Sequence, residues 1–304
     1  MKCAVIINAG AGKGDYDDAW SEQLAKRFRE HGLQPEITLA HSADEIATAV
    51  HRAIDANVPM IVAGGGDGSI NQVASIIAGS KATLGVLPLG TLNHFAKDLG
   101  LPLELDDAIA VIAGQRTRQV DTGEVNGRLF LNNSSIGLYP EVVQRREQQQ
   151  HRLGRGKWLS FFWACLAALR RFPFMALRLC AEGTEVQRKT PFVFVGNGCY
   201  GMDGLGIGKR ERLDQGCLGV VVSRHQGRLG LLRMAWDALL GRLAQSQDLE
   251  TLATGEVRIE TRHAQMRVAT DGEVTMMSTP LQYRCRPQSL RVAVPADASA
   301  AGAV

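Results

Sequence analysis

Short apolar runs alternate with stretches of helical spacing over roughly the first 115 residues, and several of the runs end in glycine or asparagine. Cys3-Ala4-Val5-Ile6-Ile7 reads as a buried strand and runs into Asn8-Ala9-Gly10-Ala11-Gly12-Lys13-Gly14, a flexible turn. The pattern then predicts a helix over 20–31, a short strand at 36–39 and a helix over about 43–55. Ser42 with Glu45 three residues on forms a capping box at the start of that last helix. Met60-Ile61-Val62-Ala63 is the next strand, Gly64-Gly65-Gly66-Asp67-Gly68-Ser69-Ile70-Asn71 the next turn, and 70–78 the next helix. Leu84-Gly85-Val86-Leu87 leads into Pro88-Leu89-Gly90-Thr91-Leu92-Asn93-His94-Phe95, with helices near 91–98 and over 106–113. This alternation predicts a mostly parallel sheet with helices on both faces.

From about residue 118 the pattern changes to short strand candidates separated by Gly, Asn or Asp. They fall at 119–125, 128–132, 176–180, 192–195, 219–222, 256–260 and 266–269, which predicts an antiparallel, sandwich-like arrangement. Amphipathic helices near 157–171 and 229–245 interrupt it. A last strand at 289–294 is expected to return to the first unit, and the Ala-rich end from 296 to fray. The expected fold is thus an open α/β domain over 1–125 and a β-sandwich-like domain over 126–304, with 287–295 returning to the first and the active site in the cleft between them.

The three glycine-rich turns change the picture from architecture to chemistry. In an open α/β sheet, ligands sit outside the carboxyl ends of the strands, and a strand-to-helix turn without side chains offers bare N–H groups to an anion. Three such loops on one edge point to a nucleotide phosphate site. A tight turn needing glycine only for its backbone angles is the plainer alternative for any one of them. Neither a P-loop nor a dinucleotide G-x-G-x-x-G spacing is present.

At 304 residues with 45% hydrophobic content, the chain can bury two moderate cores. A net charge of +3 and the lack of a basic stripe interleaved with aromatics argue against a nucleic-acid partner. The six cysteines form neither a CxxC pair nor a zinc-type cluster, Cys3 and Cys165 reading as small core residues, and no leader pattern opens the chain. A reduced cytoplasmic protein is expected. The most apolar segment, 158–169, is about twelve residues long, too short to span a bilayer, and is flanked by Arg145, Arg146, Arg152, Arg155, Lys157, Arg170 and Arg171. It reads either as a buried helix or as a helix at the membrane-facing mouth of a lipid site.

Taken together, the Asn8 to Gly12 turn, Gly65-Gly66-Asp67-Gly68-Ser69-Ile70-Asn71, Pro88-Leu89-Gly90-Thr91-Leu92-Asn93, Val120-Asp121, Phe130-Leu131-Asn132, Leu213-Asp214-Gln215-Gly216-Cys217-Leu218 and Asp271-Gly272-Glu273 resemble the catalytic domain of the diacylglycerol kinase family. That family includes sphingosine and ceramide kinases and soluble bacterial lipid kinases. The resemblance implies ATP and Mg²⁺ as cofactors and a lipid acceptor met at the inner face of the membrane, and it leaves a homodimer open. It implies nucleotide contacts from Asn8, Ala9, Gly10, Ala11, Gly12, Gly65, Gly66, Asp67, Gly68, Ser69, Ile70, Asn71, Gln72, Thr91 and Asn93, with Thr38 or Ser42 as a further hydroxyl. Lys13 invites a phosphate but is as readily a solvated charge.

For the chemistry, the resemblance implies Glu273 as proton acceptor from the lipid hydroxyl, Asp271 as its polar neighbour, and Asp67 near magnesium or the ligand. Asp271-Gly272 is equally ordinary hairpin chemistry. A metal turn is implied at the backbone oxygens of Leu213 and Cys217 with Asp214, Gln215 and Asp121. Gln215 stands where the family carries a second Asp, so structural magnesium is expected to bind weakly or not at all. His94 stands where Asp commonly follows the Asn. The expected activity is phosphoryl transfer from ATP to a hydroxyl of a diacylglycerol-like, sphingoid or glycerophospholipid acceptor. The alternatives are a kinase of a soluble acceptor such as NAD, or a catalytically weak nucleotide- or lipid-binding sensor.

Overall fold

The computed structural model describes residues 1–10, 16–137, 174–181, 183–198, 212–223 and 249–296. The first unit runs β1 (Lys2–Asn8), α1 (Asp18–Glu30), β2 (Gln34–Ala40), α2 (Ala43–Asp55), β3 (Met60–Gly65), α3 (Asp67–Ile77), β4 (Thr83–Pro88), α4 (His94–Asp98) and α5 (Leu105–Ala113). Strands pair in the order β2-β1-β3-β4, all parallel. Because successive strand residues face opposite sides, Cys3, Val5 and Ile7 join Leu24 and Phe28 of α1 and Ile109 and Ile112 of α5 in one core. Ala4 and Ile6 join Ile46 and Val50 of α2 and Ile70 and Val73 of α3 in the other. Cys3 lies in that packing as expected, and burial pushes its thiol up to about 11.

The second unit is strands among the described residues: β5 (Thr117–Val125), β6 (Arg128–Phe130), β7 (Asn133–Gly137), β8 (Met175–Ala181), β9 (Thr184–Thr190), β10 (Phe192–Asn197), β11 (Leu218–Ser223), β12 (Leu249–Thr254), β13 (Glu256–Thr261), β14 (Gln265–Thr270), β15 (Glu273–Ser278) and β16 (Leu281–Ala293). Six of them form an antiparallel sheet in the order β12-β11-β10-β7-β14-β15. This sheet packs against the continuation of the first one, β16-β13-β8-β9, through a core that includes Phe130, Ile136, Val193, Val220, Ile259 and Tyr283. Tyr283 crosses that core to meet the Ser134 hydroxyl at 3.1 Å, and burial pushes its phenol well up.

One sheet therefore runs through both units, and β16 is what joins them. Its second half lies parallel to β4 and its first half antiparallel to β13, while β5 follows it on the other side with a register break between Arg286 and Leu290. The strand expected at 289–294 is only the end of this element, because Pro287 and the positive φ of Gln288 (49°) interrupt the pattern at the break. The strand expected over 128–132 ends earlier, at Phe130, and a strand that was not expected, β7, follows at Asn133–Gly137. β6 pairs with β5 in the first sheet, whereas β7 pairs with β10 and β14 in the second, so the chain changes sheets between Phe130 and Asn133. The helices expected near 157–171 and 229–245, with the apolar segment 158–169 and its flanking arginines, lie outside the described residues.

Asp121 sits at the register break, 2% exposed. Its carboxylate accepts from Gly216 N–H at 2.6 Å and Gln288 N–H at 2.8 Å. Its own N–H donates to the Leu213 carbonyl at 2.7 Å, and its carbonyl accepts from Asn197 Nδ2 at 2.8 Å. Removing the carboxylate takes the partner from two partly buried backbone donors, so Asp121→Ala is expected to lower stability by about 1–3 kcal/mol, with Asp121→Asn between it and the unaltered protein. Urea unfolding measures this; a midpoint unchanged in Asp121→Ala would show that these bonds carry no stability.

Candidate active site

The strand ends of β1, β3 and β4 converge because two of their loops touch backbone to backbone. A Cβ on Gly90 would lie 2.5 Å from the Gly66 Cα, a distance only glycine permits. Asn93 builds the second loop from within: at φ 51° it donates from Nδ2 to the carbonyls of Pro88 (3.1 Å) and Gly90 (2.8 Å), and accepts from Gly90 N–H (3.1 Å). Asn8 Nδ2 donates to Ser69 Oγ at 2.7 Å, tying β1 to α3. Asp67 accepts from Phe95 N–H at 3.2 Å, tying α3 to the start of α4.

The N-terminus of α3 is open. Gly66 contributes no side-chain cap, and the first helical bond is that of Ile70 N–H to the Gly66 carbonyl at 3.1 Å. The amides of Asp67, Gly68 and Ser69 precede that bond and have no acceptor within the helix, which is the arrangement that receives an anion. Gly65, Gly66 and Gly68 surround this end, and Ala9 and Gly10 follow β1 beside it, where Gly10 N–H donates to Asn8 Oδ1 at 3.0 Å. Thr91 is exposed on the β4–α4 loop, and Thr38 is half-buried on β2 opposite Ile6.

Several residues expected at the nucleotide are otherwise engaged. Asn93 has its amide committed to its own loop. Ser42 caps α2, accepting from Glu45 N–H at 3.2 Å. Gln72 donates to the Ala43 carbonyl at 2.5 Å and so joins α3 to α2. Asn71 accepts from Ser75 Oγ at 3.2 Å, and the Ile70 side chain is fully buried in the core. Ala11, Gly12 and Lys13 lie outside the described residues.

The Asp271-Gly272 turn joins β14 to β15 with positive φ at both residues (47° and 90°), so it is a two-residue hairpin turn as well as a site motif. Asp271 turns away from chemistry. Its carboxylate accepts from the N–H groups of Leu131 (2.7 Å), Asn132 (2.8 Å) and Asn133 (3.0 Å), where the chain changes sheets. Two residues before Glu273, it clamps the backbone. Glu273, two residues on, reaches the first unit. A Cβ on Gly68 would lie 3.3 Å from Glu273 Oε1, and Arg128 Nη2 pairs with Glu273 Oε2 at 2.5 Å. Arg128 went unnoticed in the sequence; the Asn126-Gly127 turn before it, with positive φ at both positions, is the signal that marks it as the start of a hairpin strand.

The residues expected to hold structural magnesium do not fit it. Among the described residues no three His, Cys, Asp or Glu side chains gather closely enough to bind a metal ion. Asp121 spends both carboxylate oxygens on backbone N–H groups. Asp214 pairs with Arg118 Nη2 and Arg212 Nε, each at 3.0 Å. The carbonyls of Leu213 and Cys217 accept from Asp121 N–H (2.7 Å) and Gly198 N–H (3.0 Å), and Gln215 brings no charge. Burial opposes ionisation of Asp214, but hydrogen bonds and charge from Arg212 and Arg118 outweigh it and hold the carboxyl below its usual range. Guanidinium groups thus supply positive charge at this turn, where Gln215 stands in place of a second carboxylate.

Residues 2–125 match the family model of the diacylglycerol kinase catalytic domain, and residues 135–294 match that of the YegS C-terminal NAD kinase beta sandwich-like domain. A Pseudomonas aeruginosa protein named "Probable lipid kinase YegS-like" is 30% identical over 280 residues, covering 88% of this chain and 87% of that protein. The chain belongs to the YegS-like lipid kinase family. Membership makes it a kinase, and kinases of this family use ATP. The crystal structure of a diacylglycerol kinase from Bacillus anthracis str. Sterne shares the fold at 19% identity and a TM-score of 0.67, covering 98% of each chain. An NAD kinase from Archaeoglobus fulgidus in complex with ATP shares it more loosely, at 11% identity and a TM-score of 0.53 over 98% of this chain and 95% of that one. Among the described residues no helix is long and apolar enough to cross a membrane.

For this YegS-like chain, the arginine-held turn leads to a stability prediction. EDTA should leave Tm within about 1 °C, less than 1 kcal/mol would move it. Arg118→Met should lower Tm near neutral pH, and the gap to the unaltered protein should close as pH falls. The sign follows from the depressed Asp214 carboxyl, whose contribution is present above the unfolded-chain value of about 3.9 and lost as pH falls through the folded one. Removing Arg118 brings the folded value back toward the unfolded one, so the stability lost is largest near neutral pH and the difference between the two proteins vanishes in acid. Thermal melts across acidic pH check both; a chelator-induced fall of several degrees, reversed by magnesium, would contradict them.

Proposed function

We propose that the protein transfers the γ-phosphoryl group of ATP to a hydroxyl of a diacylglycerol-like, sphingoid or glycerophospholipid acceptor, residues 1–125 holding the nucleotide and 126–304 the acceptor. The observation that carries this reading is the reach of Glu273 from the second unit to Gly68 at the open end of α3. A carboxylate that can accept a proton thereby stands beside the amides that can hold a phosphate.

In this reading the amides of Asp67, Gly68 and Ser69 hold phosphate oxygens, with Asn8 keeping Ser69 in place and the Gly66–Gly90 contact keeping the two loops together. Asp67 is the carboxylate that would hold the Mg²⁺ carried by ATP, an ion that would supply charge neutralisation at the phosphates when bound. Glu273 removes the proton from the acceptor hydroxyl as its oxygen attacks phosphorus. Catalysis of this kind is positioning and charge placement, so it asks for no covalent intermediate with the protein.

A hydrocarbon-bearing acceptor has support in the second unit. A cavity of about 270 Å³ lies between the sheets, its wall mostly apolar, with Leu179, Val186, Val220 and Val257, but also bearing the Arg188–Glu250 ion pair. It lies at the β11–β12 side of the six-stranded sheet, whereas Glu273 opens β15 at the opposite edge. At strand spacings of about 4.8 Å those edges are about 24 Å apart, so the cavity suits a tail rather than the reacting hydroxyl. Reaction at a membrane surface follows from such an acceptor.

The test is a phosphorylation panel of diacylglycerol, sphingosine and phosphatidylglycerol in mixed micelles, with NAD as the soluble alternative and products identified by mass. A phosphorylated lipid is expected, and Asp67→Asn and Glu273→Gln should each lower turnover by about 10²–10⁴ without unfolding the protein. Phosphorylation of NAD alone, or nucleotide binding with no product, would overturn the lipid acceptor.

A further inference from the structure

The Arg128–Glu273 pair has no evident structural purpose. Their side chains are 34% and 62% exposed, and ion pairs this open contribute little to stability. The surroundings nevertheless hold the two residues in a defined relation. Arg128 follows the tight Asn126-Gly127 turn and opens β6, which leads directly into the three backbone amides gripped by Asp271. Glu273 opens β15 directly after Asp271-Gly272. One carboxylate therefore locks the segment carrying the arginine to the turn carrying the glutamate. The free face of that glutamate meets Gly68, whose helix end bears no capping side chain.

Resting on the reading of Glu273 as base and α3 as phosphate site, we propose that Arg128 positions Glu273 and passes its charge to the transferred phosphoryl group. In the resting site the guanidinium holds Glu273 at the end of α3. During transfer the acceptor oxygen forms its bond to the γ-phosphorus while the bond from that phosphorus to the β,γ-bridging oxygen breaks. ADP leaves with that electron pair, and the acceptor's proton goes to Glu273. Glu273 thereby becomes neutral and ceases to hold the guanidinium, at the moment when the negative oxygens of the phosphoryl group come within its reach. A planar cation with several donors suits both partners, first a carboxylate and then a phosphoryl group.

The experiment compares Arg128→Met, Arg128→Lys, Glu273→Gln and the double variant Arg128→Met with Glu273→Gln. Each full-length protein is assayed for ATP consumption with mixed micelles of diacylglycerol and phosphatidylglycerol, and each is melted. Arg128→Met should lower kcat by about 10²-fold, with KM for ATP within about threefold and Tm unchanged. Arg128→Lys should recover part of kcat. The double variant should be little slower than Glu273→Gln, because the two groups act as a unit. A kcat within about twofold of the unaltered protein in Arg128→Met, while Glu273→Gln is inactive, would overturn the arginine's role and leave the base reading standing. Full activity in Glu273→Gln would instead remove the base reading and the proposal with it. A raised KM with unchanged kcat would make Arg128 a ground-state nucleotide contact and overturn the charge transfer.

Discussion

Asp121 is the constraint on which the molecule's assembly depends. A buried carboxylate is costly unless its charge is met by donors, and here the donors are backbone amides from two distant stretches, Gly216 and Gln288. Those same bonds fix the register break in β16, the strand that leaves the parallel sheet beside β4 and enters the antiparallel sheet beside β13. With Leu213 and Asn197 also bonded to its backbone, Asp121 brings together β5, the end of β10, the turn before β11 and the middle of β16. The relation of the two units is set at this point, and the active site inherits it.

A second carboxylate performs a comparable task nearer the chemistry. Asp271 satisfies three consecutive amides where the chain passes from one sheet to the other, a place where neither ladder can satisfy them. By doing so it holds the Glu273 turn against the segment that begins with Arg128. Phosphoryl transfer gains most from such preorganisation, since holding the reacting groups in place removes entropy from the barrier. The glycine contact between the β3 and β4 loops serves the proposed nucleotide side in the same way, bringing two strand ends closer than any side chain would allow.

Much of this was legible along the chain. The α/β unit could be read because its strands are apolar on both faces and its helices carry strong amphipathic and capping signals, Ser42 with Glu45 among them. The strands that escaped notice, β9, β12 and β15, are all sheet edges, where one side of the ladder is unpaired and little apolar surface is required. β7 escaped as well, the expected strand having stopped at Asn132; nothing local to Leu131 or Asn132 reveals that their amides bond a residue about 140 positions away.

The sequence by itself determined the alternation of strand and helix, the glycine turns that leave the end of α3 bare, and the kinase family to which those motifs belong. These are properties of short segments, governed by backbone freedom and hydrophobic period. Only the tertiary structure decided what the charged residues do. Asp67, Asp121, Asp214, Asp271 and Glu273 are all carboxylates, yet their partners are an amide at the start of α4, the amides of a turn and a register break, two arginines, a sheet-changing backbone and an arginine beside a helix end. A carboxylate's role is set by which donors and charges reach it, and long-range folding alone supplies those.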